Sequence, residues 1–297
     1  MELIYKSPKA FTSAVKARIK SQTGNDSNLF NAKWREFVFE RLLSRIFSED
    51  PSSFALKGGT GLLARIVDAR TTKDIDMSST LSDLGEVVSE LTRLAAKDLS
   101  DFFTFRPIGE NQMGRLDAQP NKSGIEIRFQ ALIGAETLVI KLEVVLEMAQ
   151  QYQAIRQAPV GRMEMAGLQC FDFQLIPITR QIAEKVCATI EEHNGMPSSR
   201  VKDLLDLVAI ARTQHFNKAE LQSHIESEAK LRGLDLKTIF VVPNSWEVTY
   251  PNHIDHGINT EGYKSLEKAL DLVNEILDMS EKIKPEANWN PKNLAWD

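Results

Sequence analysis

Apolar positions recur along this chain in two rhythms. Between residues 124 and 148 they alternate with polar ones. Ile125, Ile127, Phe129, Ala131 and Ile133 share one face of GIEIRFQALI, and Leu138, Ile140, Leu142, Val144 and Leu146 share one face of LVIKLEVVLEM. A period of two predicts strands with one face on the core, and the intervening GAET predicts an antiparallel hairpin. Elsewhere the spacing is that of a helix. Trp34, Phe37, Leu42 and Ile46 mark NAKWREFVFERLLSRIF, and Ile182, Val186 and Ile190 mark ITRQIAEKVCATIEEH. The stretches LSDLGEVVSELTRLAAK, RVKDLLDLVAIARTQHF and YKSLEKALDLVNEILDMSEKI read the same way, as do the first twenty residues. Asp50-Pro51 predicts a break, and the tail PEANWNPKNLAWD an irregular end.

Two short strands, SFALK and DIDMS, flank TGLLARIVDA, which predicts a short helix with Thr60 as its N-cap. The expected architecture is thus α/β (α+β): a mixed N-terminal domain with its leading helices over residues 1–170 and a mainly helical lobe over 171–297. A length of 297 residues leaves room for both cores.

Composition narrows the function classes. No run of about 18 apolar residues predicts a membrane span, and the basic start lacks the apolar stretch of a signal peptide, so a cytoplasmic protein is expected. Cys170 and Cys187 are too few for a disulfide framework or a four-cysteine zinc site. A net charge of -5 argues against non-specific coating of nucleic acid. It leaves room for a local basic groove drawn from Arg18, Lys20, Lys141, Arg180, Lys185, Arg200 and Lys202.

The chemistry concentrates in KGGTGLLARIVDARTTKDIDM. Asp74 and Asp76, two apart on a strand, point to one side at roughly 6–7 Å from each other. Like charges that close repel unless a cation lies between them, and Mg²⁺ is the hard ion suited to carboxylates and phosphates. The plainer alternative is two solvated aspartates at a strand end. Gly58-Gly59-Thr60 lets backbone approach a ligand and exposes amides to phosphate, or is only a tight turn. Neither a Walker A loop nor a G-x-G-x-x-G fingerprint is present. Glu143, on the polar face of its strand, is a candidate third carboxylate, either to hold metal or to accept a proton. Glu147 is its ordinary counterpart. Lys185 is a candidate phosphate contact, and Asp203 and Asp206 share a helix face, against the alternative of ordinary surface helices. His193, His215, His224, His253 and His256 form no metal-ligand spacing. Trp246, Tyr250 and Tyr263 are base-stacking candidates or packing residues.

Four blocks, KGGTGLLARIVDARTTKDIDM, LVIKLEVVLEM, IPITRQIAEKVCA and RVKDLLDLVAI, occur in an order that resembles the AbiEii/AbiGii nucleotidyltransferase toxins of type IV toxin–antitoxin and abortive-infection systems, and among them the tRNA-modifying MenT type. The resemblance spans about residues 30 to 280. It implies a polymerase-β-like mixed sheet with a helical C-terminal lobe that completes the active site. It implies that Lys57, Gly58, Gly59, Thr60, Thr72, Lys73, Lys185 and Asp203 contact the nucleotide. Asp74, Asp76 and Glu143 would hold Mg²⁺, or Mn²⁺ as the alternative. Asp74, Asp76, Lys185, Asp206 and Glu143 would form the catalytic set, Glu143 standing where many members have aspartate. The implied activity moves an NMP from an NTP to the 3′ end of tRNA, which blocks aminoacylation and growth, and a cognate antitoxin is the implied partner. Alternatives are a protein or small-molecule acceptor, a non-catalytic NTP-binding toxin, or an interaction protein acting through its helices.

Overall fold

The computed structural model describes residues 4–49, 53–113, 123–147, 152–192, 195–235, 240–254 and 260–297. These divide into two units, one ending at Leu175 and the other containing Ile66–Arg70 and the chain from Ile176 onward. The Asp50-Pro51 break lies outside the described residues.

In the first unit, the Ser7 hydroxyl accepts from the Ala10 amide and opens α1 (Pro8–Thr23). Asp26 caps α2 (Ser27–Ile46) in the same manner, accepting from the Asn28 and Leu29 amides. There follow β1 (Phe54–Leu56), α3 (Gly58–Leu63), β2 (Ile75–Ser79), α4 (Leu84–Ala95), β3 (Thr104–Met113), β4 (Gly124–Ile133), β5 (Glu136–Leu146), β6 (Ile155–Gln157) and β7 (Phe173–Leu175). The seven strands form one sheet in the order β3-β4-β5-β2-β1-β7-β6. β2 runs parallel to β5 and antiparallel to β1, and β1 parallel to β7, so the sheet is mixed, as expected.

The alternating runs form the predicted hairpin. Ile127 stands opposite Leu142 and Phe129 opposite Ile140. Their side chains join Phe11, Phe37, Leu42 and Leu91 from α1, α2 and α4 in one apolar core. The period of two therefore leaves the other sheet face polar. Inside this unit Arg41 and Arg45 converge on Asp101 at 2.7 and 2.6 Å, all three buried. Burial alone would raise the Asp101 pKa, but the two guanidinium groups outweigh it and hold the carboxyl below its ordinary value.

The second unit holds α5 (Ile178–Ile190), α6 (Val201–Thr213), β8 (Phe216–Asn217), α7 (Lys218–Arg232), α8 (Trp246–His253), α9 (Leu266–Ile276), β9 (Asn288–Asn290) and β10 (Ala295–Trp296). The tail is not irregular: β9 and β10 pair with each other, and β9 pairs with β8. Trp289 is the reason. Its ring is fully buried, stacks on Phe216, and donates its Nε1–H to the Ala211 carbonyl at 2.6 Å. The buried Trp246 and Tyr250 likewise act as packing residues, donating to the Ser198 and Tyr263 carbonyls. Two cations leave the expected basic groove: Arg180 is buried against Glu228 at 2.9 Å, and Lys185 is buried against aspartates. Among the described residues, no helix is long and apolar enough to cross a membrane.

Candidate active site

The strand–helix turn between β1 and β2 is stitched to the start of β2. The Lys57 amide donates to the Asp76 carbonyl at 3.0 Å. The hydroxyls of Thr60 and Thr72 both donate to the Asp74 carbonyl, at 3.0 and 3.1 Å. Thr60 is thus not the N-cap: α3 begins two residues earlier, after Lys57, with no side-chain cap bond. The helix is also shorter than TGLLARIVDA, ending at Leu63.

Gly58 is required by what lies against it, and Gly59 is tightly packed. Gly58 has φ +55, and a Cβ there would stand 2.1 Å from Asp76 Oδ2. A Cβ on Gly59 would meet Thr72 Cβ and Oγ1 at 3.1 Å. The missing side chains make room for a carboxylate and for the threonine that holds Asp74.

Asp74 precedes β2 and Asp76 lies within it, both half-buried. The parallel register of β2 and β5 sets Asp76 directly beside Glu143. The next strand continues the row, because Glu143 pairs with Glu126 of β4. Glu126 is in turn bridged by Arg128 at 3.0 Å and Lys141 at 3.7 Å. Burial pushes the Glu143 carboxyl above its ordinary pKa, and the nearby charges of Asp76, Asp74 and Glu126 push it further, against Lys141.

Among the described residues, no group of three or more His, Cys, Asp or Glu side chains is placed to hold a metal ion. The donor chemistry nonetheless fits a hard divalent ion. Asp74, Asp76 and Glu143 offer only carboxylate oxygens, and each of the two aspartates raises the Glu143 pKa by its charge. Lys73 is exposed beside them and Lys57 is half-buried.

The second unit brings together the other predicted residues. Lys185 Nζ donates to Asp203 Oδ1 at 2.8 Å and to Asp206 Oδ2 at 2.5 Å. Arg70 closes the cluster with a fork onto Asp206, Nε–Oδ1 at 2.7 Å and Nη2–Oδ2 at 2.8 Å. Lys185 and both aspartates are buried, which rules out ordinary surface helices. Burial alone would lower the Lys185 pKa, but Asp206 and Asp203 outweigh it and hold the ammonium above its ordinary value. Asp203 is held below the ordinary carboxylate value, Lys185 overcoming the effect of burial.

Sequence reasoning missed Glu126 and Arg70. Glu126 shares the alternation of Glu143 on the neighbouring strand, a signal visible once the hairpin is drawn. Arg70 lies in the ARTTKD stretch but its partner is far along the chain, and no spacing reveals it. His193 and His256 lie outside the described residues. His224 Nδ1 lies 2.9 Å from the Thr179 hydroxyl, and burial lowers its pKa.

A family model described as the nucleotidyl transferase AbiEii toxin of type IV toxin–antitoxin systems matches residues 41–285. Among solved structures, the fold is similar to MenT4, a nucleotidyltransferase toxin of Mycobacterium tuberculosis, with a TM-score of 0.54 and 15% identity over 90% of this chain and 91% of that one. JHP933 of Helicobacter pylori aligns with a TM-score of 0.45 and 17% identity over 84% and 94% of the two chains. No curated protein matches the sequence.

Proposed function

The chain belongs to the family of AbiEii nucleotidyltransferase toxins of type IV toxin–antitoxin systems, and on that premise we propose that it transfers an NMP from an NTP to the 3′ end of tRNA in a reaction that depends on Mg²⁺. The observation that carries the reading is the acid row: Asp76 beside Glu143 in register, with Asp74 two residues before Asp76, just ahead of β2.

Asp74, Asp76 and Glu143 would hold the divalent ion. When bound, the ion neutralises triphosphate charge and lowers the pKa of an attacking hydroxyl. The chain's own part is placement. Gly58 gives the Asp76 carboxylate its space, and Thr60 and Thr72 fix the backbone that carries Asp74. Lys57, Lys73 and the Gly58-Gly59-Thr60 turn are assigned to the triphosphate. Glu143 has a second aptitude. A carboxyl whose pKa is raised by burial and like charge is better matched to accept a proton near neutral pH.

The roles of Lys185, Asp203 and Asp206 are proposed with one refinement. The ammonium is already engaged by two carboxylates, and the guanidinium of Arg70 shares one of them. Lys185 therefore positions the aspartates as much as it offers a charge to phosphate. A cognate antitoxin is the partner proposed to counter the activity.

The test incubates the purified protein with each labelled NTP, Mg²⁺ and total tRNA. Label should enter tRNA with wild type and not with Asp74→Ala of unchanged melting temperature. Label in protein instead of RNA would assign a different acceptor. Nucleotide binding without any transfer would identify a non-catalytic module.

A further inference from the structure

The second unit contains a cleft of about 800 Å³ that no part of the nucleotide chemistry uses. Its floor is apolar, from Val186 and Ile190 of α5, Ile225 of α7, and Phe240. Its walls are acidic. Glu226 of α7 stands on one side, and Asp271 and Glu275 of α9, with Asp278 just beyond it, on the other. Asp271 and Glu275 are one helical turn apart, so their carboxylates line the same edge.

Among the described residues, those lining the cleft include no lysine, arginine or histidine. This is unusual for a chain that pairs its acids so extensively elsewhere. Arg180 and Arg232 engage Glu228 and Glu191 within the same unit. In contrast, none of Glu226, Asp271, Glu275 and Asp278 has an ion-pair partner among the described residues. Glu226 accepts only from the Gln222 amide, at 2.9 Å, and Asp278 from the Ser280 backbone amide, at 2.9 Å. The four carboxylates, with no ion-pair partner among the described residues, concentrate negative charge around an apolar surface to which the half-buried Ile190, Leu277 and Met279 contribute. Both features are complemented by one kind of occupant, with an apolar stripe and flanking positive charge.

We propose that the cleft between α7 and α9 is a docking groove for a basic amphipathic helix of a partner protein. Its apolar residues would enter over Ile190, Leu277 and Met279, and its lysines or arginines would meet the carboxylates on both walls. The dimensions suit this mode. α9 is 11 residues long, and a helix laid along it for about 16 Å presents three turns. The cleft volume is too large for a simple polyamine and within the range that several anchoring side chains fill. The proposal is independent of the NTP and acceptor assigned above.

The test uses a labelled helical peptide of roughly four turns, with leucines on one stripe and lysines elsewhere, read by fluorescence anisotropy in about 0.15 M salt. The intact protein should bind it, and the same peptide with glutamate for lysine should not bind. The double variant Asp271→Lys/Glu275→Lys should weaken binding by about tenfold or more. The exposed pair Glu164→Lys/Glu261→Lys makes the same change in net charge outside the cleft and should leave affinity within about twofold. Ile190→Gln should weaken binding without altering the melting temperature appreciably. Equal loss in both double variants would overturn the proposal, since it would reduce the effect to net charge. Full competition by spermidine at equal charge would also overturn it, in favour of a small-cation site.

Discussion

Gly58 and Asp76 occupy space that only one side chain can fill: a Cβ on the glycine would stand 2.1 Å from Asp76 Oδ2. Gly58 is therefore specified by the acid it accommodates, whatever else it contacts. Gly58→Ala should be damaging twice over. The φ of +55 disfavours a Cβ by about 1 kcal/mol. The methyl group also pushes the Asp76 carboxylate aside. Nucleotide transfer should fall by about a hundredfold, with a smaller loss in thermal stability. Wild-type transfer by this variant would show that the placement of Asp76 is not critical.

Glu143→Gln keeps the volume of the side chain and removes its charge. The folded-state pKa of Glu143 is raised, so its ionised form costs stability above that pKa. In the absence of divalent ions at neutral pH, the variant should melt no lower than wild type. The increase in melting temperature on adding Mg²⁺ should shrink, and transfer should fall by about 10²–10⁴-fold. A Mg²⁺ effect of undiminished size would remove Glu143 from the metal site.

Asp101 supplies a pH prediction. Its pKa is depressed in the folded protein by Arg45 and Arg41. The stabilisation is present in full above the ordinary carboxylate value, about 3.9, and disappears as pH falls through the lower folded value. Asp101→Asn leaves two buried guanidinium groups without a counter-charge and should destabilise the first unit by about 3–5 kcal/mol at neutral pH. Denaturant midpoints followed from pH 7 into the acid range should drop less steeply in the variant than in wild type.

If Lys185 were only a phosphate contact, Lys185→Ala would weaken nucleotide binding more than it changes the fold. The buried cluster alters that expectation. Removing the ammonium leaves Asp203 and Asp206 in the interior with Arg70 on one of them. The variant should lose about 3 kcal/mol of stability as well as nucleotide affinity. Calorimetry at a temperature where the variant is still folded separates the two. Asp203→Asn in the Lys185→Ala background should recover stability and should not recover affinity.

Legibility in the sequence followed the range of the forces involved. β4 and β5 were visible because one face of each packs on the core and the other does not, which writes a period of two into adjacent residues. The Asp74/Asp76 pair and the two glycines were visible for the same reason: all the spacing that matters is local. The tail was misread because β9 and β10 are short strands in an Asn- and Pro-rich segment. Their order comes from Trp289 reaching Phe216 and Ala211. Arg70 was missed because its fork onto Asp206 depends on how distant segments meet. The cap of α3 was misplaced because the hydroxyl of Thr60 is committed to the Asp74 carbonyl just before β2, a competition invisible within the helix itself.

The parallel pairing of β2 with β5 has a consequence in time as well as in space. A chain emerging from the ribosome presents Gly58, Asp74 and Asp76 long before Glu143 is made, and β2 has no parallel neighbour until β5 arrives. An interrupted chain that ends before β5 carries the most recognisable motif of a toxin and lacks the acid that stands beside it. On the role proposed for Glu143, unfinished copies of this toxin would lack its activity.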